Sequence, residues 1–198
     1  MSKKQVRKML RQMESGEPVR LIVSMTTMNG LARLAFIAQQ FGYEYADLAQ
    51  TNDNKFALLV VPDAGPQARE RAERNRARYP DAGDGVALPP VEPDAIRLLR
   101  ARMAVDLGTQ YSDRLRMGLA VFFFTASALA IGFRARAHTE VVLVAGVVWA
   151  VIMALLPVLM AYSRRYRGNA AAQLEAAGFT AVTDGDGRVR YVPPGGLG

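Results

Sequence analysis

Cations are the residues of this 198-residue chain most densely placed for chemistry. Lys3, Lys4, Arg7, Lys8 and Arg11 crowd its beginning, and Arg69, Arg71, Arg74, Arg76 and Arg78 recur along one helical stretch. Such side chains hold anions, either acidic lipid headgroups or nucleic-acid phosphates. At helical spacing Arg71, Arg74 and Arg78 fall on one face. The candidate anion-contact set is therefore Lys3, Lys4, Arg7, Lys8, Arg11, Arg71, Arg74 and Arg78. Two features temper it. Glu70 and Arg74 form an i,i+4 pair, and a charge-laced helix is ordinarily a solvated face. No aromatic base-stacking motif accompanies the arginines, which leaves acidic lipid ahead of nucleic acid as their partner.

Other clusters point to structure rather than chemistry. Ser24, Thr26 and Thr27 stand between a strand and a helix start, where hydroxyls and free N–H groups can bind a phosphate. The spacing fits neither G-x-x-x-x-G-K-[ST] nor G-x-G-x-x-G, so helix capping is expected. Asp184-Gly185-Asp186-Gly187 opens like a calcium loop, yet Arg188 and Gly195 stand where further oxygen ligands belong. It reads as a hairpin turn. Cysteine is absent and His138 is the only histidine, which removes disulfides, sulfur-based metal sites and Ser–His or Cys–His pairs. Glu44, Asp47, Asp53 and Asp63 are scattered and form no acid–base pair. The sequence therefore predicts no catalytic residue, no metal and no cofactor.

The elements that must position these residues begin with two uncharged apolar runs, 117–133 and 141–162, separated by 134–140. A bilayer core of about 30 Å takes roughly 20 helical residues to cross, so this is a transmembrane hairpin with an external loop. Arg97, Arg100, Arg102, Arg114 and Arg116 precede it and Arg164, Arg165 and Arg167 follow. Only Arg134 and Arg136 lie between. That asymmetry predicts both termini in the cytosol. With no secretory signal and an Arg-, Ala- and Gly-rich composition, the expected home is the inner (plasma) membrane of a bacterium, as a multi-pass protein. Neither span holds an ionisable residue, unlike most ion pathways. Gly146, Ala150 and Ala154 form a small-residue seam on the second span, as Ala126 with Ala130 and Ala128 with Gly132 do on the first. Such seams suit close helix packing, by default within the hairpin and otherwise on a neighbouring chain. Thr125 and Ser127 are expected to bond their own helix, Trp149 to pack mid-span, and Pro157 to kink the second span.

Outside the spans the pattern is mixed. Residues 1–16 form a basic amphipathic helix whose apolar face (Val6, Met9, Leu10, Met13) either packs on the next domain or lies in lipid. Residues 17–79 read as β-α-β-β-α. Residues 80–93 are a Pro/Gly linker, and 94–116 are one amphipathic helix with Ile96, Leu99, Met103, Leu107, Tyr111 and Leu115 on a stripe. The tail, 163–198, is α-β-β and resembles the earlier stretch through Gly42 and Pro62. Too short to bury its own core, it is expected to join the N-terminal sheet or that of a neighbour. The fold class is thus an α+β membrane protein: a two-helix hairpin with a small cytosolic domain built from N- and C-terminal segments.

The expected function is non-enzymatic, a hairpin anchor presenting a cytosolic domain for protein assembly or regulation. Partners would be the lipid bilayer and a protein or a second copy of the chain. The alternatives are an anionic-lipid or DNA binder using the cationic helices, and an oligomeric channel or transporter subunit.

Overall fold

The computed structural model describes residues 2–24, 27–51, 53, 55–110, 113–134, 139–185 and 187–194. Thr26, Tyr111, Arg136, His138, Asp186 and 195–198, which carry some of the expectations above, lie outside them. The chain is mixed helix and sheet with two long apolar helices. It divides into two compact units, Met1–Gly108 with Ala170–Gly198, and Thr109–Asn169.

The first unit opens with α1 (Lys3–Met13), started by a capping box in which Ser2 and Gln5 bond each other's backbone N–H. There follow β1 (Val19–Val23), α2 (Met28–Gln40), β2 (Tyr43–Gln50), β3 (Phe56–Pro62) and α3 (Pro66–Arg78). The three strands form one antiparallel sheet in the order β1-β3-β2. Alternation along the strands sends Leu21, Val23, Tyr45, Leu48, Leu58 and Val60 into a core. Leu31, Leu34 and Ile37 of α2 share that core, as do Val6 and Met9 of α1. The apolar face of α1 is thus occupied by protein and is not a foot inserted in lipid.

The end of α2 shows why the chain turns where it does. Gly42 has φ +89°, a left-handed backbone that glycine adopts without a Cβ penalty. A Cβ there would also meet Ala72 Cβ at 3.1 Å, so glycine lets α3 lie close. The last carbonyls of α2, orphaned by the helix end, are capped from α3. Arg71 Nε donates to Gln39 O (3.0 Å), Asn75 Nδ2 to Gln40 O (2.8 Å), and an Arg76 Nη to Phe41 O (3.4 Å).

Three sequence-based boundaries change. Residues 80–93 are not a free linker: Pro80–Asp84 is a 3-10 turn, Ala82 is buried, and Gly85 approaches the Lys3 carbonyl. The expected helix 94–116 is interrupted. Its first part is α4 (Pro93–Thr109), which ends beside the weak helix former Gly108, and α5 begins at Asp113. Ile96, Leu99 and Met103 of α4 complete the core, so this part of the stripe packs on its own unit, whereas Leu115 is exposed on α5. The tail helix is not separate either, because α6 runs unbroken from Thr139 to Ala176. No strong breaker stands between 163 and 170; Gly168 costs a helix only about 1 kcal/mol.

The tail strands β4 (Thr180–Thr183) and β5 (Val189–Val192) pair with each other as a separate two-stranded sheet. They do not extend the three-stranded sheet. Tyr191 and Leu174 instead pack with Ala101, Val105 and Ala170 in a second cluster on α4.

In the second unit, α5 (Asp113–Arg134) and the greater part of α6 are each long and apolar enough to cross a membrane. Residues 113–116, expected to end the preceding helix, form the first turn of α5. Pro157 sits within α6 and deprives one carbonyl of its usual donor, which a long helix tolerates.

Replacing Gly42 by Ala should cost about 1–3 kcal/mol, combining the left-handed backbone with the Ala72 clash. Gly178 (φ +84°) meets only Pro194 Cγ at 3.8 Å, so Gly178→Ala should cost about 1 kcal/mol. Urea unfolding of the full chain in detergent measures both; equal losses would show that the α3 approach does not constrain Gly42.

Candidate functional site

The most concentrated chemistry in the first unit is a polar cluster joining β2, α4 and β5. A β-bulge between Tyr45 and Asp47 shifts the strand register, so Tyr45 points into the core while Asp47 faces the tail. Tyr45 is fully buried and donates its hydroxyl to Asp106 Oδ2 at 2.5 Å. The Arg102 guanidinium lies 5.0 Å from the Tyr45 ring centre and 3.3 Å from Glu44. Arg190 of β5 approaches Asp47 at 3.0 Å, and Arg188, just before that strand, does so at 3.7 Å and also reaches the Asp106 carbonyl at 3.5 Å. Asp47 Oδ1 and the Nε atoms of Arg188 and Arg190 are buried and make no hydrogen bond.

Burial governs the proton affinities here. Asp106 is 2 % exposed, and desolvation raises its pKa above 3.8 despite the Tyr45 hydrogen bond and the nearby Arg102 charge. Desolvation, reinforced by the Asp106 charge, pushes the Tyr45 phenol well above its ordinary range. Tyr45 is therefore a neutral donor to a buried acid. With neither group accessible to a substrate, the pair works as a joint in the fold.

The expected anion-contact residues divide between the helices. On α1, Lys3, Lys4, Arg7, Lys8 and Arg11 are all exposed, within an arc of about 140° at 100° per residue. That arc lies opposite the buried Val6, Met9, Leu10 and Met13. No carboxylate among the described residues pairs with these five. On α3, Arg71 is committed to the end of α2, Arg74 sits 3.9 Å from Glu70, and Arg78 lies over the Tyr79 ring. The structure leaves the α1 set as a continuous cationic face and uses the α3 set largely for packing.

A cleft of about 590 Å³ opens between α1 and α3, with Glu14, Tyr43, Arg76 and Tyr79 among its walls. Its polar groups already serve the fold. The Tyr43 hydroxyl lies 2.8 Å from the Met13 carbonyl and 3.1 Å from that of Glu17, and Arg76 caps α2. Thr27 likewise caps α2, its hydroxyl accepting from Gly30 N–H at 3.2 Å, while Ser24 is exposed. Asp184 accepts from the N–H groups of Gly185 and Gly187, as a hairpin turn requires. No group of three or more His, Cys, Asp or Glu suited to a metal occurs among the described residues.

In the second unit the small-residue seam is not the contact between helices. Ala150 and Ala154 are exposed, and Gly146 lines one of two apolar grooves bordered by α5 and α6, of about 590 and 510 Å³. Ala128, Ala145 and Trp149 border both grooves and form the ridge between them. Trp149 Nε1 donates to Thr125 Oγ1 at 3.2 Å, so Thr125 serves the neighbouring helix. Gly146 is exposed like Ala150 and Ala154, and the indole, not the seam, makes the hydrogen bond to α5. Asp113, in the first turn of α5, accepts from Arg164 (2.9 Å) and Arg167 (2.8 Å) of α6, clasping the two helices there.

Asp106, Tyr45, Arg102, Arg188, Arg190 and Asp113 were not singled out as site residues by spacing. One signal was present: Leu99, Met103 and Asp106 follow helical spacing, so a carboxylate occupies a core-facing position. Comparison with known proteins finds no family model, no curated protein and no solved structure that matches this chain.

Because the folded-state pKa of Asp106 is raised, the folded chain takes up this proton before the unfolded chain does. Ionisation of Asp106 therefore subtracts stability as pH rises from 3.8 through the raised value. Asp106→Asn should remove that dependence, so the variant gains on the parent as pH increases across this window and then runs parallel. Urea midpoints at stepped pH check it; a constant difference would show that Asp106 titrates normally.

Proposed function

We propose that this chain is an integral membrane protein of the bacterial plasma membrane, in which α5 and α6 cross the bilayer as a hairpin. On this reading they anchor the helix–sheet unit, which serves on the cytosolic side as a module for protein assembly or regulation. The carrying observation is burial. No described residue of α5 is buried, nor any of α6 before Ala170. Yet Phe122, Phe123, Leu143, Val144, Val147 and Leu159 are among the large apolar side chains left exposed there. Soluble monomers rarely show contiguous apolar patches beyond a few hundred Å². Hydrocarbon is the solvent in which that surface is favourable, and helices bring their backbone hydrogen bonds with them.

Orientation is supported by Arg114, Arg116, Arg164, Arg165 and Arg167 at one end against Arg134 and Arg136 at the other. The positive-inside rule counts these cations whether or not an acid such as Asp113 pairs with them. The docking role is supported by the second face of the three-stranded sheet. Ile22 is 56 % exposed there, beside exposed Arg20 and half-buried Leu59 and Val61.

Because the chain has no cysteine, single substitutions report cleanly. In intact cells an impermeant maleimide should label Arg134→Cys, and label Ser2→Cys and Ser163→Cys only after lysis. The protein should also stay with membranes through alkaline carbonate. Reversed labelling overturns the orientation, and carbonate release overturns the anchor. A photo-crosslinker at Ile22 should give discrete protein adducts in cells; their absence would remove the docking role.

A further inference from the structure

The cationic face of α1 stands out by composition and by construction. The chain has 21 arginines and four lysines, and three of the four, Lys3, Lys4 and Lys8, lie on this face. Elsewhere several arginines make directed bonds: Arg71 and Arg76 to carbonyls, Arg102 to Glu44, Arg190 to Asp47, Arg164 and Arg167 to Asp113. Lysine is a compact, strongly hydrated point charge without arginine's planar fork, suited to diffuse rather than geometric recognition. On α1 the lysines point to solvent with Arg7 and Arg11, and no described carboxylate pairs with them.

The helix that carries them is fixed in place. Its apolar side lies in the core, its first turn is capped by Ser2 and Gln5, and Gly85 is drawn up to the Lys3 carbonyl by a backbone that no side chain could follow comfortably. The five charges therefore form a preorganised surface, not a loose arm. Over the eight helical steps from Lys3 to Arg11 they span about 12 Å.

We propose that this face of α1 binds anionic lipid headgroups, by electrostatics alone and without burying the helix in the bilayer. The proposal rests on the anchor reading, since a tether in the same membrane supplies a high local concentration of headgroups. Nucleic acid is the lesser fit: the tether does not concentrate it at this face, and the face offers no aromatic side chain to stack on unpaired bases. The occupied apolar face sets this mode apart from an amphipathic helix that inserts, and it makes binding reversible by salt.

The main comparison needs no substitution, because the lysines are their own reporters. Full-length chain is reconstituted into zwitterionic vesicles or vesicles with about 30 % anionic lipid, a fraction chosen to give a negative surface potential. Amines are then modified with an impermeant acylating reagent and located by mass spectrometry. Lys3, Lys4 and Lys8 should react several-fold more slowly on the anionic vesicles. Lys55, paired with Asp53 on the β2–β3 turn, should react equally on both and so serves as the internal standard. Protection should vanish at about 0.5 M salt, where the screening length falls to roughly 4 Å. The charge-reversed Lys4→Glu/Lys8→Glu chain should leave Lys3 equally reactive on both vesicles.

Equal rates for Lys3, Lys4 and Lys8 on the two vesicles would overturn the proposal, as would protection that survives salt. Greater protection by added duplex DNA on zwitterionic vesicles would assign the face to nucleic acid instead. Failure of the anchor reads differently: the chain is then stripped from every vesicle by alkaline carbonate. Flotation of that chain with anionic but not zwitterionic vesicles would still uphold the lipid-binding face, and no flotation with either would overturn it.

Discussion

The first unit depends on a closure. Its chain leaves at Gly108 and re-enters at Ala170, and the returning segment has no core of its own. Leu174 supplies the main apolar tie, fully buried among Ala101, Val105 and Tyr191, while the Tyr191 hydroxyl bonds Glu175 at 2.9 Å. Burying a leucine is worth about 1.5–3 kcal/mol, enough to hold a short tail when neighbouring groups assist. The long excursion between exit and return adds little to the cost, because loop closure grows only as the logarithm of length, about 0.6 kcal/mol per doubling. A unit of this kind can accommodate an inserted helix pair without losing its fold.

Beside that apolar tie sits the polar one, and the two do different work. Charges removed from water seldom repay their desolvation, so Arg188, Arg190 and Asp47 are poor candidates for net stability. What they restrict is register. Arg190 on β5 and Arg188, the residue just before the strand, both reach Asp47, which the bulge in β2 presents. A tail docked one residue out of phase would turn both guanidinium groups away and leave a half-buried carboxylate without its cations. Apolar packing at Leu174 and Tyr191 has no such directional demand. Adhesion thus comes from the small cluster and alignment from the ion pairs.

Periodicity made the larger elements legible. The apolar stripes of α1, α2 and α4, the β2–β3 pair and both apolar helices follow directly from residue spacing, and Gly42 marked the end of α2. Continuity was less legible. Local patterning does not reveal that α4 stops near Gly108 or that α6 runs through 163–169, because neither place carries a proline. The tail's likeness to the earlier α-β-β stretch suggested strand addition, whereas its side chains dock on α4. Pair contacts such as Tyr45 with Asp106 join residues far apart in sequence, and no spacing rule reaches across that distance. At Trp149 the difference is one of facing: small residues permit close approach only on the side turned to the neighbour, and here Trp149 faces Thr125 while Ala150 and Ala154 are exposed.

The same principle governs the charges. A net charge of +7 describes the whole chain and no particular surface. Arg71 and Arg76 complete a helix end, Arg102 covers an aromatic ring and pairs with Glu44, and Arg164 and Arg167 are held by one aspartate. Each satisfies a partner that would otherwise be an orphan, so each is explained by folding. Lys3, Lys4, Arg7, Lys8 and Arg11 satisfy nothing among the described residues, and their mutual repulsion is a burden that folding alone does not require. Uncompensated like charge kept on a rigid, capped and packed helix is most economically explained by an anion outside the chain.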